Sequence, residues 1–312
     1  MNSIHVAAVV LNYNTEKDLQ VCAELLSKQV GVTLSIILVD NASRPSSLAA
    51  IKLWLADWCS EAVCGSTADV SSWVRRHPDL ASESGRVYLI ENHENLGYSA
   101  GNNIGLCLAD KLQADVALIV NPDMRIEAPS YLHALALQLL AEPQNIIAAS
   151  RILNLDGTEQ HIMRDINFWE ELFWLQWILP RVFNFKSYSL ICPVDRPSVV
   201  HRVSGCCFLI RMDFLRLTNY LDENVFLYCE EPILSAKVRA VGGKIIHVPS
   251  ISAIHAHVSS EKSNKVKRTL LFIKSRRYYL KTYSGFNRLQ LLLLSFSYFI
   301  FSVFQRIKGI GK

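Results

Sequence analysis

Apolar residues recur along this chain in two ways, as short near-continuous blocks of strand length and at a spacing near 3.6 between them. Ile4 to Leu11 and Leu34 to Val39 are apolar, partly β-branched runs of buried-strand length. Between them Glu16 to Val30 places Leu19, Ala23, Leu26 and Val30 on one helical face, so the opening predicts a βαβ unit. Strand-like runs follow at Val87 to Ile90, Val116 to Val120 and Ile146 to Ala149, with helical segments around Ser99 to Leu112 and Ser130 to Glu142. Alternation of this kind predicts an α/β fold on a doubly wound, mostly parallel sheet flanked by helices. The connection from Ser43 to Arg86 holds Trp54, Trp58 and Trp73 and is punctuated by Gly65-Ser66-Thr67 and Ser82-Glu83-Ser84-Gly85. It reads as a helix plus a surface loop.

The second half opens with a turn at Asp156-Gly157 and an aromatic-rich run from Phe168 to Pro180. That run reads either as a helix packed on the sheet or as an acceptor-site wall or membrane-interface surface, because indole rings favour such boundaries. Ile245 to Ser252 is strand-like. Further on, Lys262, Lys265, Lys267, Arg268, Lys274, Arg276, Arg277 and Lys281 are interleaved with Leu270, Leu271, Phe272, Ile273, Tyr278 and Tyr279, which predicts a helix with a cationic face. It leads into Leu289 to Phe304, sixteen residues without a charge. A spanning helix needs about 20 residues, so this length suits an interfacial segment flanked by Arg288, Arg306, Lys308 and Lys312. Peripheral attachment to anionic inner-leaflet lipid is the expectation, with a solvated face or a dimer seam as the rivals.

Composition narrows the class. Of 312 residues, 50% are hydrophobic and 19% charged, enough for a buried core and one large or two small domains. The pattern divides the chain at residues 1–150, 151–260 and 261–312. A net charge of +4 is too small to argue for nucleic acid. The eight cysteines, at Cys22, Cys59, Cys64, Cys107, Cys192, Cys206, Cys207 and Cys229, show no paired CxxC spacing and read as free buried thiols. The N-terminal apolar run lacks a basic region and a cleavage site, so it reads as a first strand, and the expected location is the cytoplasm.

The chemistry concentrates in Glu94-Asn95-Leu96-Gly97-Tyr98-Ser99-Ala100-Gly101-Asn102-Asn103-Ile104-Gly105, followed by Leu118-Ile119-Val120-Asn121-Pro122-Asp123. This is a glycine-rich turn opening a helix, then a buried strand that delivers a carboxylate at its C-terminal end, where open α/β sheets bind ligands. It suits a nucleotide and its metal. Gly97, Gly101 and Gly105 permit close backbone approach, although glycines at this spacing also serve helix packing. Asn102 and Asn103 supply donors and acceptors without net charge. Asp40 follows a buried strand, where a carboxylate either accepts the imide N–H of uracil or thymine or caps a turn.

The motifs also occur in a fixed order. Val9-Val10-Leu11-Asn12-Tyr13-Asn14, Leu38-Val39-Asp40-Asn41-Ala42-Ser43, Asn95-Leu96-Gly97, Gly101 to Gly105 and Asn121-Pro122-Asp123 resemble the nucleotide-sugar half of the family 2 inverting glycosyltransferases, particularly the rhamnosyltransferase-like branch. Ser204 to Arg211, Leu221-Asp222-Glu223 through Gly242, and Pro249 through His255 resemble its acceptor half. The resemblance spans roughly residues 4 to 260 and implies the GT-A fold, with a basic and apolar helical tail beyond it.

That resemblance implies roles. Asn12, Asn14, Asp40, Asn95, Gly97, Asn102 and Asn121 would hold the nucleotide-sugar donor. Asp123 corresponds to the last carboxylate of the family's DxD-type motif, with Asn121 in the first position, and would bind Mg²⁺ or Mn²⁺ together with His255. His257, two residues on, would share a strand face with His255. The family's acidic pair, typically Glu-Asp, appears here as Glu230-Glu231-Pro232, so Glu231 is the implied base with one extra methylene, and a further common Asp is replaced by Ile233. Pro232 suits a first helical turn, whose dipole favours an ionised carboxylate; a capping role alone is the other reading. By likeness the donor is dTDP-rhamnose or a UDP-hexose, and the acceptor a polyprenyl-diphosphate-linked saccharide of bacterial surface polysaccharide. Two rivals stand beside this: a nucleotidyltransferase, whose basic glycine-rich opening is absent from Val9 to Asn14, and a catalytically silent sugar-nucleotide-binding or scaffold protein.

Overall fold

The structure, a computed structural model, describes residues 3–70, 72, 86–160, 162, 164–172, 195–257 and 265–310. Trp73, the Ser82-Glu83-Ser84-Gly85 punctuation, Cys192, Lys262, Lys312 and residues 173–180 of the aromatic run lie outside them.

A single ten-stranded sheet organises the chain. Its first half is built from β1 (His5–Asn12), α1 (Glu16–Leu26), β2 (Thr33–Asn41), α2 (Pro45–Trp58), β3 (Val63–Ser66), β4 (Arg86–Asn92), α3 (Gly97–Lys111) and β5 (Val116–Val120). The chain continues through β6 (Met124–Arg125), α4 (Tyr131–Leu140), β7 (Asn145–Asn154), α5 (Phe168–Leu172), β8 (Ser198–Val200), β9 (Cys207–Arg211) and α6 (Met212–Leu217). It ends with α7 (Glu230–Ala240), β10 (Lys244–His255), α8 (Lys265–Tyr283) and α9 (Arg288–Ile310). The strand order is β3-β4-β2-β1-β5-β9-β7-β10-β6, with β8 also on β10.

Strands β3, β4, β2, β1 and β5 run parallel. β9 then enters antiparallel between β5 and β7, so the two halves of the sequence share one sheet. β1, β2 and β5 are buried on both faces, which is why their sequences are continuous apolar runs rather than alternating ones. α3 lies so close to the sheet that a Cβ at Gly101 would sit 2.7 Å from Leu11 Cδ1, and one at Gly105 2.5 Å from Val9 Cγ1. These two glycines therefore serve helix-on-sheet packing.

Three local expectations differ from what forms. α1 stops at Leu26 rather than Val30, because the chain beyond it bonds elsewhere: Gln29 donates to the Ala128 carbonyl at 2.8 Å and accepts from the Leu132 amide at 2.9 Å. The connection after α2 contributes an edge strand, β3, which its Val-Cys-Gly-Ser sequence does not announce. Among the cysteines Cys22, Cys206, Cys207 and Cys229 are buried and free, whereas Cys64 is exposed and Cys59 and Cys107 are half-buried.

Two large apolar cores line the faces of the sheet. A third, smaller one joins α5, α7, α8 and α9 through Phe168, Cys229, Ile233, Ile273, Leu294 and Tyr298. The start of α7 is thereby packed directly against the C-terminal helix pair.

Candidate active site

Register brings the first group of polar side chains together. Asn12 at the end of β1 lies opposite Asp40 of β2, and Asn41 lies opposite Asn92 of β4, all at the C-terminal edge of the parallel strands. Asn12 donates to Asp40 Oδ1 at 2.9 Å and to Ser43 Oγ at 3.0 Å, while the Ser43 amide donates to Asp40 Oδ2 at 3.0 Å. Asp40 is 1% exposed, so it ties the ends of β1 and β2 together and presents almost no surface of its own. Asn14 has a left-handed backbone, with φ 57°, and accepts from the Arg44 amide at 2.8 Å. Tyr13, between the two asparagines, is 52% exposed.

Asn41 organises the glycine-rich turn. It donates to Asn95 Oδ1 and to the Gly97 carbonyl, both at 3.1 Å, and accepts from the Leu96 amide at 3.2 Å. Gly97 adopts φ +84°, and a Cβ there would fall 2.1 Å from the Phe226 carbonyl oxygen. Only glycine fits that position. Asn102 is buried within α3, donating to the Tyr98 carbonyl at 2.9 Å while its Oδ1 has no hydrogen-bond partner. Asn103 pins α3 to the second half, donating to the Leu221 carbonyl at 2.9 Å and to Glu223 Oε1 at 2.7 Å.

The second group gathers on Asp123. Pairing of β6 with the end of β10 sets Met124 opposite His255, and the Ala256 amide donates to the Asp123 carbonyl at 2.8 Å. Asp123 Oδ2 consequently lies 3.2 Å from His255 Nε2 and 3.2 Å from His257 Nδ1. One ligand atom from each of the three residues lies within 4.8 Å of the others. Burial opposes the charge on Asp123, but His255 foremost and His257 behind it outweigh that and hold its carboxyl below the ordinary range.

The group's chemistry fits a divalent cation. Asp123 Oδ1 and His255 Nε2 are buried without an aligned hydrogen-bond partner, although His255 Nε2 is near Oδ2. Such orphaned atoms carry an uncompensated desolvation cost unless a cation meets them. Metal–ligand bonds of about 2.1 Å put neighbouring ligand atoms about 3 Å apart, close to the spacing seen. Gln160 lies behind His255, its amide 2.9 Å from Nδ1 and 2.8 Å from Asn154 Oδ1. That contact fixes the ring plane, as second partners of ligating histidines do.

The third group is the start of α7. Two non-glycine residues, Tyr228 with φ 71° and Cys229 with φ 68°, turn the chain left-handed into the helix. This uncommon backbone sets Glu230 and Glu231 in the first turn. Glu231 Oε1 accepts the Gly205 amide at 3.3 Å, and the Gly205 carbonyl accepts the Tyr98 hydroxyl. Glu230 lines the same cavity as Glu231 and Tyr98, but its Oε2 is buried without a partner, and burial first, then the neighbouring Glu231 charge, pushes its carboxyl up to about 8. The two adjacent carboxylates are thus in unlike environments, the usual sign of different tasks.

A short backbone segment joins the second and third groups. Gly205 holds Glu231, and its neighbour Cys206 accepts the Asn121 amide on its carbonyl at 2.8 Å. Asn121 stands two residues before Asp123, and Arg125 braces that turn by donating to the Pro122 carbonyl at 3.0 Å and pairing with Asp18. The structure therefore brings Asn121, Asp123, His255 and Glu231 to one edge of the sheet, while Asn12, Asn14, Asp40, Asn95 and Gly97 frame the neighbouring strand ends. Gln160, Tyr98 and Gly205 were not singled out from sequence for these roles, because their contacts cross from one half of the chain to the other.

No protein-family model matches the chain. It is 26% identical over 260 residues to the low-salt glycan biosynthesis hexosyltransferase Agl10 of Haloferax volcanii, covering 80% of this chain. The chain spans 66% of the length of that relative. Among solved structures it resembles the mannosyltransferase PcManGT from Pyrobaculum calidifontis in complex with GDP-Man and Mn²⁺, with TM-score 0.53 and 14% identity over 100% of this chain and 74% of that one. S. aureus TarS 1-349 in complex with UDP-GlcNAc gives TM-score 0.54 and 13% identity over 93% and 70% of the two chains. GalNAc-T7 with UDP, GalNAc and Mn²⁺ gives TM-score 0.54 and 13% identity over 95% and 55%. The chain has the mixed α/β, mostly parallel-sheet architecture of GT-A glycosyltransferases, with an apolar helix at its C-terminal end.

Proposed function

We propose that this chain is a metal-assisted, inverting glycosyltransferase of the family 2 type, moving one sugar from a nucleoside diphosphate donor to an acceptor hydroxyl. The observation that carries this is the Gly205–Cys206 segment, which places the carboxylate of Glu231 beside the turn that bears the Asp123, His255 and His257 cluster. A donor diphosphate and an attacking hydroxyl need those two functions side by side.

Asp123, His255 and His257 are the residues that would hold the ion, with Gln160 behind His255. A mixed nitrogen and oxygen set departs from the oxygen shell that Mg²⁺ demands and suits Mn²⁺ better. When bound, the ion would supply Lewis-acid stabilisation of the departing diphosphate. Tyr13 offers an exposed ring face at the strand ends, where a nucleobase stacks in open α/β sheets. Glu231 takes the proton from the acceptor hydroxyl as that oxygen attacks the anomeric carbon from the face opposite the leaving group. The Gly205 amide orients its Oε1 for that task.

The finer reading follows from the motif resemblance: a rhamnosyltransferase-like enzyme using dTDP-rhamnose, with a UDP-hexose as the other donor, and a polyprenyl-diphosphate-linked saccharide as acceptor at the inner face of a bacterial membrane. Support for transfer to a glycan comes from the Agl10 similarity. Donor identity is tested by nucleoside diphosphate release from dTDP-rhamnose, UDP-hexoses and GDP-mannose with Mn²⁺, with a membrane lipid extract as acceptor. Release from one donor that disappears in Asp123→Asn supports the reading. Nucleotide binding with no release from any donor would favour a catalytically silent sugar-nucleotide-binding protein.

A further inference from the structure

Beyond the catalytic edge, the α8–α9 pair leaves one face uncovered. Leu289, Leu292, Phe296, Phe299, Val303 and Ile307 fall at spacings of three and four along α9 and are between 39% and 66% exposed. Spacing of that kind puts them on one continuous stripe. Large exposed apolar stripes mark an interaction surface. Arg288 and Arg306, both exposed, bracket it.

We propose that this stripe lies flat in the interface of an anionic lipid bilayer, anchoring the enzyme without crossing the membrane. Charge decides between lipid and a second copy of the chain. From residue 265 to 310 there are ten Lys and Arg and no Asp or Glu; Arg276 is buried against Glu171, while Lys274, Arg277, Lys281, Arg288 and Arg306 are exposed. Pairing two such segments would set like charges against each other, whereas a surface of anionic headgroups complements them.

The opposite face of α9 decides between lying on the membrane and spanning it. By length and composition the helix is apolar enough to cross, with mean hydropathy 1.4 over Arg288–Ile307. Yet Leu294, Ser297, Tyr298 and Phe301 are buried against the protein. Ser297 donates to the Leu172 carbonyl at 2.9 Å. Tyr298 donates to Glu171, whose carboxylate is also held by Arg276, with Nε to Oε1 at 2.8 Å. Crossing the bilayer would strip Tyr298 from this buried ion pair and leave its charges under-satisfied. An amphipathic helix with one face on protein and the other in the headgroup boundary keeps every contact.

The inference rests on the surface and not on transfer activity, so its test reads binding alone. Full-length protein is floated with vesicles rich in phosphatidylglycerol and, separately, with phosphatidylcholine vesicles, followed by carbonate extraction. Binding to the anionic vesicles at least about tenfold tighter than to the neutral ones, weakened by salt and released by carbonate, is expected. Phe296→Asp/Phe299→Asp, on exposed positions, is expected to lose more than about 100-fold in binding, and Leu292→Ser to weaken it, with unchanged far-ultraviolet dichroism. Carbonate-resistant insertion would overturn the proposal. So would a dimer in lipid-free solution that the double variant dissociates, or wild-type vesicle binding by that variant.

Discussion

The amide of Gly205 meets Oε1 of Glu231 at 3.3 Å, and the carbonyl of the same residue takes the hydroxyl of Tyr98. Tyr98 belongs to the first turn of α3, in the first half of the chain, and Glu231 to the first turn of α7, so one residue carries geometry from one half to the other. A misplacement near 1 Å at a reacting group can cost about 100-fold in rate. Tyr98→Phe is therefore expected to lower kcat by about 10- to 100-fold with little change in donor KM. Steady-state kinetics with the preferred donor check this, and an equal loss in kcat and donor affinity would point to the turn itself.

Gln160 makes a prediction about the metal. It contacts His255 Nδ1 at 2.9 Å and no other member of the cluster in the hydrogen bonds around it. Removing such a partner costs a metal site about 10–100-fold in affinity. Gln160→Ala should weaken Mn²⁺ binding by that factor, read by calorimetry on the purified protein, while His257→Ala should weaken it further by removing a ligand.

Glu230 makes a prediction about pH. Its carboxyl is raised from 4.5 to about 8 in the fold, burial first and Glu231 second. The folded chain therefore holds a proton that the unfolded chain releases, and stability contributed by the protonated form is present below about 4.5 and lost as pH rises toward about 8. Glu230→Gln keeps the neutral form at all pH values. The variant should gain stability relative to the parent at pH 8.5 and show a smaller gain or none at pH 4.5, as read from urea midpoints.

Arg276 and Glu171 make a prediction about packing. Both are buried, the side chains 7% and 1% exposed. Removing one member of a buried ion pair costs about 3–5 kcal/mol because the other is left charged and unpaired, whereas replacing both with apolar groups is often near neutral. Arg276→Met should destabilise by that amount, and Glu171→Leu/Arg276→Met should recover most of it in the same denaturation assay.

Much of the fold was legible because it depends on local pattern. Val116 to Val120 forms the strand its five apolar residues announce, and the amphipathic stretch after Thr15 forms α1. β3 was not legible, since a four-residue edge strand containing Gly and Ser carries no periodic signal. The site divides in the same way. Asp123, His255 and His257 sit at strand ends that sequence could mark, and they converge. Asp40 could be marked too, but its near-complete burial and its bonds to Asn12 and Ser43 arise only from register. The left-handed entry into α7 at Tyr228 and Cys229 was not legible either, since neither residue type advertises it.

The most direct test is the rate of sugar transfer by Glu231→Gln, with donor and Mn²⁺ affinities measured alongside by calorimetry. Loss of a general base lowers a rate by about 100- to 10,000-fold, so kcat should fall by that factor while both affinities stay near those of the parent. Transfer by Glu231→Gln at the parental rate would contradict the assignment of Glu231 as the base.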